Sequence, residues 1–531
     1  MNVGSTVGSV EGNVNINAGK AYTQIGSDVL TPAGDINIAA QSVDINAATD
    51  TYANQQSMEY EQTGITLAVS NPVLSAAQTV SNMHQAASNT SDGRMQAMAA
   101  GTSALAINNA ANAVIAGNTP QFDENGLQIL DANGQDPTAN PANQVGGINV
   151  SISIGHSESS SSSSQTANSV SGSTLNAGGN INITATGDGT NNPNTGNINV
   201  IGSNVTANHD VTLTAQNAIN LQAAQNTQTQ QSENDSSNAS LGIGFSLGSQ
   251  SNGFTINAGL SGSEGNANGN GTTWTETTIQ GGRHSGDNVT LNSGSDTNLI
   301  GAQVSGNQVI ANVGTNGQGN FNIQSLQDSN TYNSEQSNFG VSVSLCIPPF
   351  CYGASGGSLS MGESNTDSNY QSVNEQAGIF AGDGGFQVNV NGNTNLTGAV
   401  LASGEQAIQN NANSLTTQTL TTSNIANSAA YEAEASSATV GAGTQGGLPQ
   451  LSGAGIGEDS GDGSSTTLSG ISGGTVSVTD NAQQTALTGN DATTTVALLN
   501  RDVHVNENGE AVDSQGNSTA NTIALLNCTQ N

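Results

Sequence analysis

The chain has 531 residues, of which 33% are hydrophobic, 3% aromatic and 8% charged. An average globular chain is about half apolar and about a quarter charged, so a large globular core is not expected. Four Lys+Arg against 39 Asp+Glu give a formal charge of −35. That balance excludes nucleic-acid binding, which needs cations to neutralise phosphate, and electrostatic docking to an anionic membrane surface. Such a composition fits either disorder or a repetitive β-structure of small polar residues, and periodicity decides between them.

Met1 is followed by Asn-Val-Gly-Ser-Thr-Val-Gly-Ser-Val, with neither the basic nor the apolar region of a signal peptide. No run of 18 apolar residues occurs, so no membrane-spanning helix is predicted. Over 1–50 the chain reads as β-helix rungs: Gly12–Ala18 alternates apolar and polar residues, and Gly34–Ala40 repeats it 22 residues later. Gly179–Ala185 and His209–Ala215 make a second pair within rungs over 171–225. Ser285–Val289 and Ser305–Val309 make a third within 285–328, and 385–415 holds the last rungs. A period near 20 residues with short strands and Gly/Asn turns predicts a β-helix, whose thin inner column needs few aromatics and little charge.

Between the rungs, three long β-hairpins are predicted over 51–170, 226–284 and 329–384. Their outgoing legs carry Ile65, Leu67 and Val69; Ile243, Phe245 and Leu247; and Val341, Val343 and Leu345. The returning legs are Ile148–Ile154, Phe254–Leu260 and Gly357–Met361. Six or seven alternating positions are slightly fewer than a membrane β-strand needs, yet their chemistry is compatible with lipid. Contact with a membrane or partner and packing on the flank of the coil are the two readings. Trp274, the single tryptophan, lies on a polar return leg, where it packs on the hairpin or meets a receptor. The first hairpin carries an Ala-rich insertion near 75–117, whose spacing suits two helices broken near Asp92-Gly93, followed by a turn-rich stretch over 123–145. Beyond, 416–475 reads as a Gly/Ser-rich linker in which Ala429–Ala438 suits a short helix, and 476–531 as a tail.

Cys346 and Cys351 flank Ile-Pro-Pro-Phe, a tight-turn sequence. A disulfide across the turn in an oxidising compartment and two reduced thiols in a loop both remain open. Two G-x-S-x-G matches, at 353–357 and 470–474, are at the number chance gives in so Gly- and Ser-rich a chain, and neither sits between a strand and a helix. The five histidines are scattered, and Glu458–Gly463 lacks the spacing of a calcium loop. Catalytic, cofactor and metal sites are therefore not expected, and an enzyme is not predicted.

The paired Gly-Asn-(Val/Ile)-Asn-Ile rungs alternating with polar hairpins resemble the haemagglutinin repeats of filamentous-haemagglutinin-like exoproteins, the secreted partners of bacterial two-partner secretion systems. The resemblance covers roughly 10–435. Ser414–Leu420 and Asn424–Asn427 are similar to the end of the repeats in contact-dependent growth inhibition effectors. Ser469–Gly474 and Leu498–Asp502 are similar to the segment that follows it there. The resemblance implies a right-handed parallel β-helix with long hairpin excursions, a small helical insertion and a flexible tail, with 476–531 a truncated pre-toxin-like segment. It also implies an internal stalk or delivery piece without the toxin, secreted to the bacterial cell surface with a periplasmic stage before delivery. The partners it implies are an outer-membrane transporter and a target-cell outer membrane or receptor, with an adhesin stalk as the alternative; exposed strand edges in addition allow self-association.

Overall fold

The computed structural model describes residues 2–523 except 72, 75, 191, 248–250, 354, 444–449 and most of 79–147. Its body is a parallel β-helix in which each full coil contributes three short strands. Asp28–Thr31, Ile36–Ala40 and Ser42–Asn46 make one such coil, and Asn204–Ala207, Val211–Ala215 and Ile219–Gln222 another. Each strand pairs in parallel with its counterpart one coil away, so like residues stack. A single inner column runs Ile16, Ile38, Ile183, Leu213, Leu291, Ala311, Val388, Leu415 and Val476. The 22-residue spacing of Val14 and Ile36 and the 30-residue spacing of Ile181 and Val211 are thus true rung steps.

Alternation makes this core. In Ile36–Ala40 the first, third and fifth side chains are buried and the intervening ones half-exposed, and the pattern recurs in Val211–Ala215. The half-exposed positions hold amides that hydrogen-bond along the coil axis. The Nδ2 of Asn322 donates to Asn298, Asn298 to Asn220, and Asn220 to Asn199, each at 2.8 Å, and Asn199 donates to Asp44 Oδ1 at 2.7 Å. A one-directional donor chain ending on a carboxylate leaves each linking amide with a partner on both sides and explains the abundance of Asn without charge.

The corner between the third strand of one coil and the first of the next alternates between two solutions. Gly26, Gly202, Gly301 and Gly398 turn it with φ between +51° and +60°, a region open to glycine. At the intervening corners the chain leaves the coil instead, as a hairpin. The hairpins are Ala48–Ser70 with Ile148–Ser171, Ala224–Leu247 with Ser251–Thr275, Asp328–Gly353 with Gly356–Ser372, and Ile425–Gly443 with Gln450–Thr467. The glycine corners also make room for the hairpin roots: a Cβ on Gly202 would lie 2.4 Å from the Ala224 Cβ, and one on Gly26 2.5 Å from the Ala48 Cβ.

The hairpins do not lie on the flank of the coil. They pair side by side, antiparallel and in chain order, into one eight-stranded sheet. The linker predicted over 416–475 is a correction: its core is the fourth hairpin, and Ala429–Ala438 is strand, not helix. Small residues lacking an apolar period form a strand here because a neighbouring hairpin supplies the main-chain partners. The second and third hairpins end earlier than predicted, since Thr277–Gln280 and the start of Gly378–Thr397 already belong to the coil. The described residues within 73–115 are helical, whereas the break near Asp92-Gly93, the stretch over 123–145 and Cys528 lie outside the described residues.

The tail is also corrected. Thr475–Val478 adds a strand to the coil, and the helix Asn481–Thr488 then covers the coil's end. Gln484 is fully buried there; its Oε1 accepts from Leu420 N at 2.7 Å and its Nε2 donates to Leu420 O at 3.0 Å, so a side chain satisfies an edge strand that no further coil covers. Val503 and Ala511 pack on Phe380, Val400 and Ala402, tying the segment down.

Replacing Gly202 by Val forces a branched side chain into the left-handed region against Ala224. The urea midpoint is expected to fall by the equivalent of about 2 kcal/mol or more. Asn220→Ala removes both links of the amide chain and leaves Asn199 Oδ1 without its donor; the expected loss is about 1–3 kcal/mol, read by the same unfolding curve.

Candidate interaction surface on the lateral sheet

Antiparallel register places directly opposite residues on the same face, and following it across the sheet assembles one surface from all four hairpins. Leu67 lies opposite Ile152, Ile152 opposite Ile243, Ile243 opposite Ile256, and Ile256 opposite Leu345. The next row inward runs Ile65, Ile154, Leu241, Ala258 and Val343, and the one below it Leu260, Val341, Leu359 and Val440. Val69 and Phe245 lie in the row outside, where the Phe245 and Phe254 rings meet edge to face at 5.2 Å, and Leu247 lies opposite Ile148 further out. These side chains are uncovered: Ile65 is 77% exposed, Leu67 68% and Ile243 63%. The other face of the same strands carries Ser151, Ser153, Gly242, Gly244, Ser342 and Ser344.

On the apolar face, the rows nearer the coil turn acidic. Glu59, Asp235, Glu264 and Glu363 share one row, and Glu233, Glu335, Glu434 and Glu458 the next. Asp235 and Glu264 are directly opposite each other, as are Glu434 and Glu458, pairings that weaken a sheet unless the main chain holds it. Among the described residues one group of His and carboxylates converges: Glu61, His156 and Glu158 have ligand atoms within 4.8 Å of one another. His156 Nε2 lies 3.0 Å from Glu158 Oε1 and its Nδ1 2.9 Å from Thr63 Oγ1, so both ring nitrogens are engaged by neighbours on the sheet, at the upper edge of the acidic rows.

The nine aliphatic and aromatic residues predicted on the outgoing legs all belong to this one surface. Trp274 does not join them: it sits at the root of the second hairpin, where its Nε1 donates to Gln327 O and its backbone N donates to Asp328 Oδ1, both at 3.0 Å. Cys346 and Cys351 are bonded to each other and close the tip of the third hairpin. His209 sits at a coil corner with Nδ1 3.2 Å from Asp287 Oδ1, a turn role. Sequence reasoning did not find Glu276, at the root of the second hairpin. Burial pushes its carboxyl up to about 9, helped by the neighbouring charges of Glu375 and Asp328, and Oε2 has no hydrogen-bond partner.

A parallel coil with hairpins leaving it at regular intervals is an all-β solenoid. Residues 152–339 match the hemagglutinin repeat family. The chain is 39% identical to a toxin CdiA of Escherichia coli over 90% of its own length and 14% of that protein's. It is 36% identical to a deoxyribonuclease CdiA of Yersinia pseudotuberculosis, over 91% of its length and 42% of that protein's, and 34% identical to a tRNA nuclease CdiA of Escherichia coli NC101, over 90% and 14%. No solved structure matches the chain. The chain is a filamentous-haemagglutinin-like repeat region, and it spans about one seventh of the length of the first of these relatives.

Glu276 makes stability depend on pH. Its unfolded carboxyl ionises near the ordinary value of 4.5 and its folded one at about 9. Between these values the unfolded chain binds fewer protons, so stability falls as pH rises through that window. Glu276→Gln is expected to flatten the fall and to raise the urea midpoint at pH 8, with little effect at pH 4.

Proposed function

We propose that the chain is the stalk and delivery region of a large bacterial exoprotein that a two-partner outer-membrane transporter exports. At the cell surface it presents a C-terminal toxin to neighbouring bacteria in contact-dependent growth inhibition. The observation that carries this reading is the alignment of nine-tenths of the chain with proteins named as toxins and nucleases, of which it covers only a repeat-bearing part. The architecture supports it. Each coil contacts mainly its neighbours, so folding can propagate coil by coil as the chain emerges from a transporter. The bonded Cys346 and Cys351 suit an oxidising compartment outside the cytoplasm. In this reading the toxin chemistry belongs to another part of such a protein, since the matched region carries hemagglutinin repeats.

The test uses a full-length exoprotein containing this segment. Residues 224–275 are replaced by a Gly-Ser corner of the kind at Gly26-Ser27. Export and surface display are expected to persist while killing of target cells falls at least about tenfold. Undiminished killing with loss of cell attachment would instead support the adhesin stalk.

A further inference from the structure

We propose that the apolar face of the lateral sheet is covered by the same face of a second copy of this chain, the two sheets packing as a β-sandwich with their strands antiparallel. The proposal goes beyond the delivery reading and does not depend on it.

Area is the first argument. The apolar rows each cover four or five strands; five strands at about 4.8 Å span roughly 24 Å, and four rows at about 7 Å span roughly 28 Å, giving a face on the order of 650 Å². Monomeric proteins rarely expose a contiguous patch of more than about 600 Å². One such face on another buries on the order of 1,300 Å² in total, at the lower end of the about 1,200–2,000 Å² of specific interfaces.

The second argument is the chemistry of the rim. Lys20, Arg283 and Arg501 lie in the coil and its C-terminal cap, so no described cation stands on the hairpins. A partner lying with its strands parallel would set carboxylate rows against carboxylate rows. Turning the second copy end for end stacks apolar rows on apolar rows and sends the two acidic belts to opposite rims, which is the usual arrangement of an apolar interface core with a polar, hydrated edge. Charge thereby selects one of the two orientations.

The third argument is what the sheet's edges forbid. The outer strands carry Glu59 and Glu61 on one side and Glu458, Asp459 and Asp462 on the other. Charges on edge strands discourage edge-to-edge pairing, so the unprotected route to self-association is through the face.

Sedimentation velocity of the purified 531-residue chain at micromolar concentration is the test. A species of twice the chain mass is expected. The triple variant Leu67→Thr, Ile152→Thr, Ile243→Thr keeps β-branched strand formers, so its circular dichroism should match the parent while its dimer dissociation constant rises at least about tenfold. Ser153→Thr, on the opposite face, should leave dimerisation unchanged. In a Cys528→Ser background, Val69→Cys is expected not to crosslink with itself, whereas a mixture of Val69→Cys and Thr63→Cys chains, whose positions lie at opposite ends of the apolar stretch of the same outer strand, should form a mixed disulfide. A monomeric parent at 100 µM, a triple variant that dimerises as well as the parent, or self-crosslinking of Val69→Cys would each overturn the proposal. So would a monomer that floats with phospholipid vesicles through this face, which would assign the face to lipid.

Discussion

The structure depends on a single length, the spacing of hydrogen-bonded strands. Successive coils rise by about 4.8 Å, and the two legs of a hairpin lie about 4.8 Å apart. A hairpin at every second corner therefore advances by two strand widths along the coil and occupies two strand widths in the lateral sheet. The two sheets are commensurate, and all four described hairpins join into one continuous sheet. One hairpin per coil would be twice too crowded, and one per three coils would leave the hairpins apart as isolated ribbons, which are marginal in water. The alternation of glycine corners with hairpin roots is the device that sets this ratio, because the left-handed turn at Gly26, Gly202, Gly301 and Gly398 both closes its own corner and clears space for the root above it.

Once the ratio is set, the lateral sheet needs little from its side chains. Its main chain is satisfied by neighbours on both sides except at the outer edges, so Ser, Gly, Asn and Ala suffice over long stretches. That freedom lets the hairpins carry an uncovered apolar zone and a belt of unneutralised carboxylates on one face. In a free hairpin, directly opposed pairs such as Asp235 with Glu264 would favour separation. In the sheet, each leg's ladder continues into the next hairpin, and the repulsion is outweighed.

The rungs were legible because a β-helix core repeats a local pattern: alternating Val, Ile and Leu after Gly-Asn or its equivalent, at spacings the register reproduces. Three hairpins were legible from their apolar legs. Their joining was not, since nothing in one hairpin names its partner; only the equal coil count between insertions carries that information. The fourth hairpin escaped because its composition is that of a linker, although Val440, Leu451 and Ile456 are its residual apolar signal. The acidic belt left a regular trace. Glu59 precedes Ile65 by six residues, and the same interval separates Asp235 from Leu241, Glu335 from Val341 and Glu434 from Val440. Six is an even number, so in an extended strand each pair shares a face, and the amphipathic surface was encoded four times over. Glu276 was illegible because its burial arises where two hairpin roots meet.

The same rule of neighbouring contacts governs how so long and polar a chain can fold. Each coil stacks on the one before it, and each hairpin pairs with the hairpin two coils earlier, so both sheets grow in one direction and at one rate. The unpaired strands at any moment belong to the last coil and the last hairpin. In the described structure the last coil is closed by Gln484, which supplies a donor and an acceptor to Leu420 where another strand would have supplied them. The last hairpin is guarded differently, by Glu458, Asp459 and Asp462 on its open strand. One growing edge is satisfied chemically and the other is protected by charge, which leaves the apolar face as the part of the surface that neither device covers.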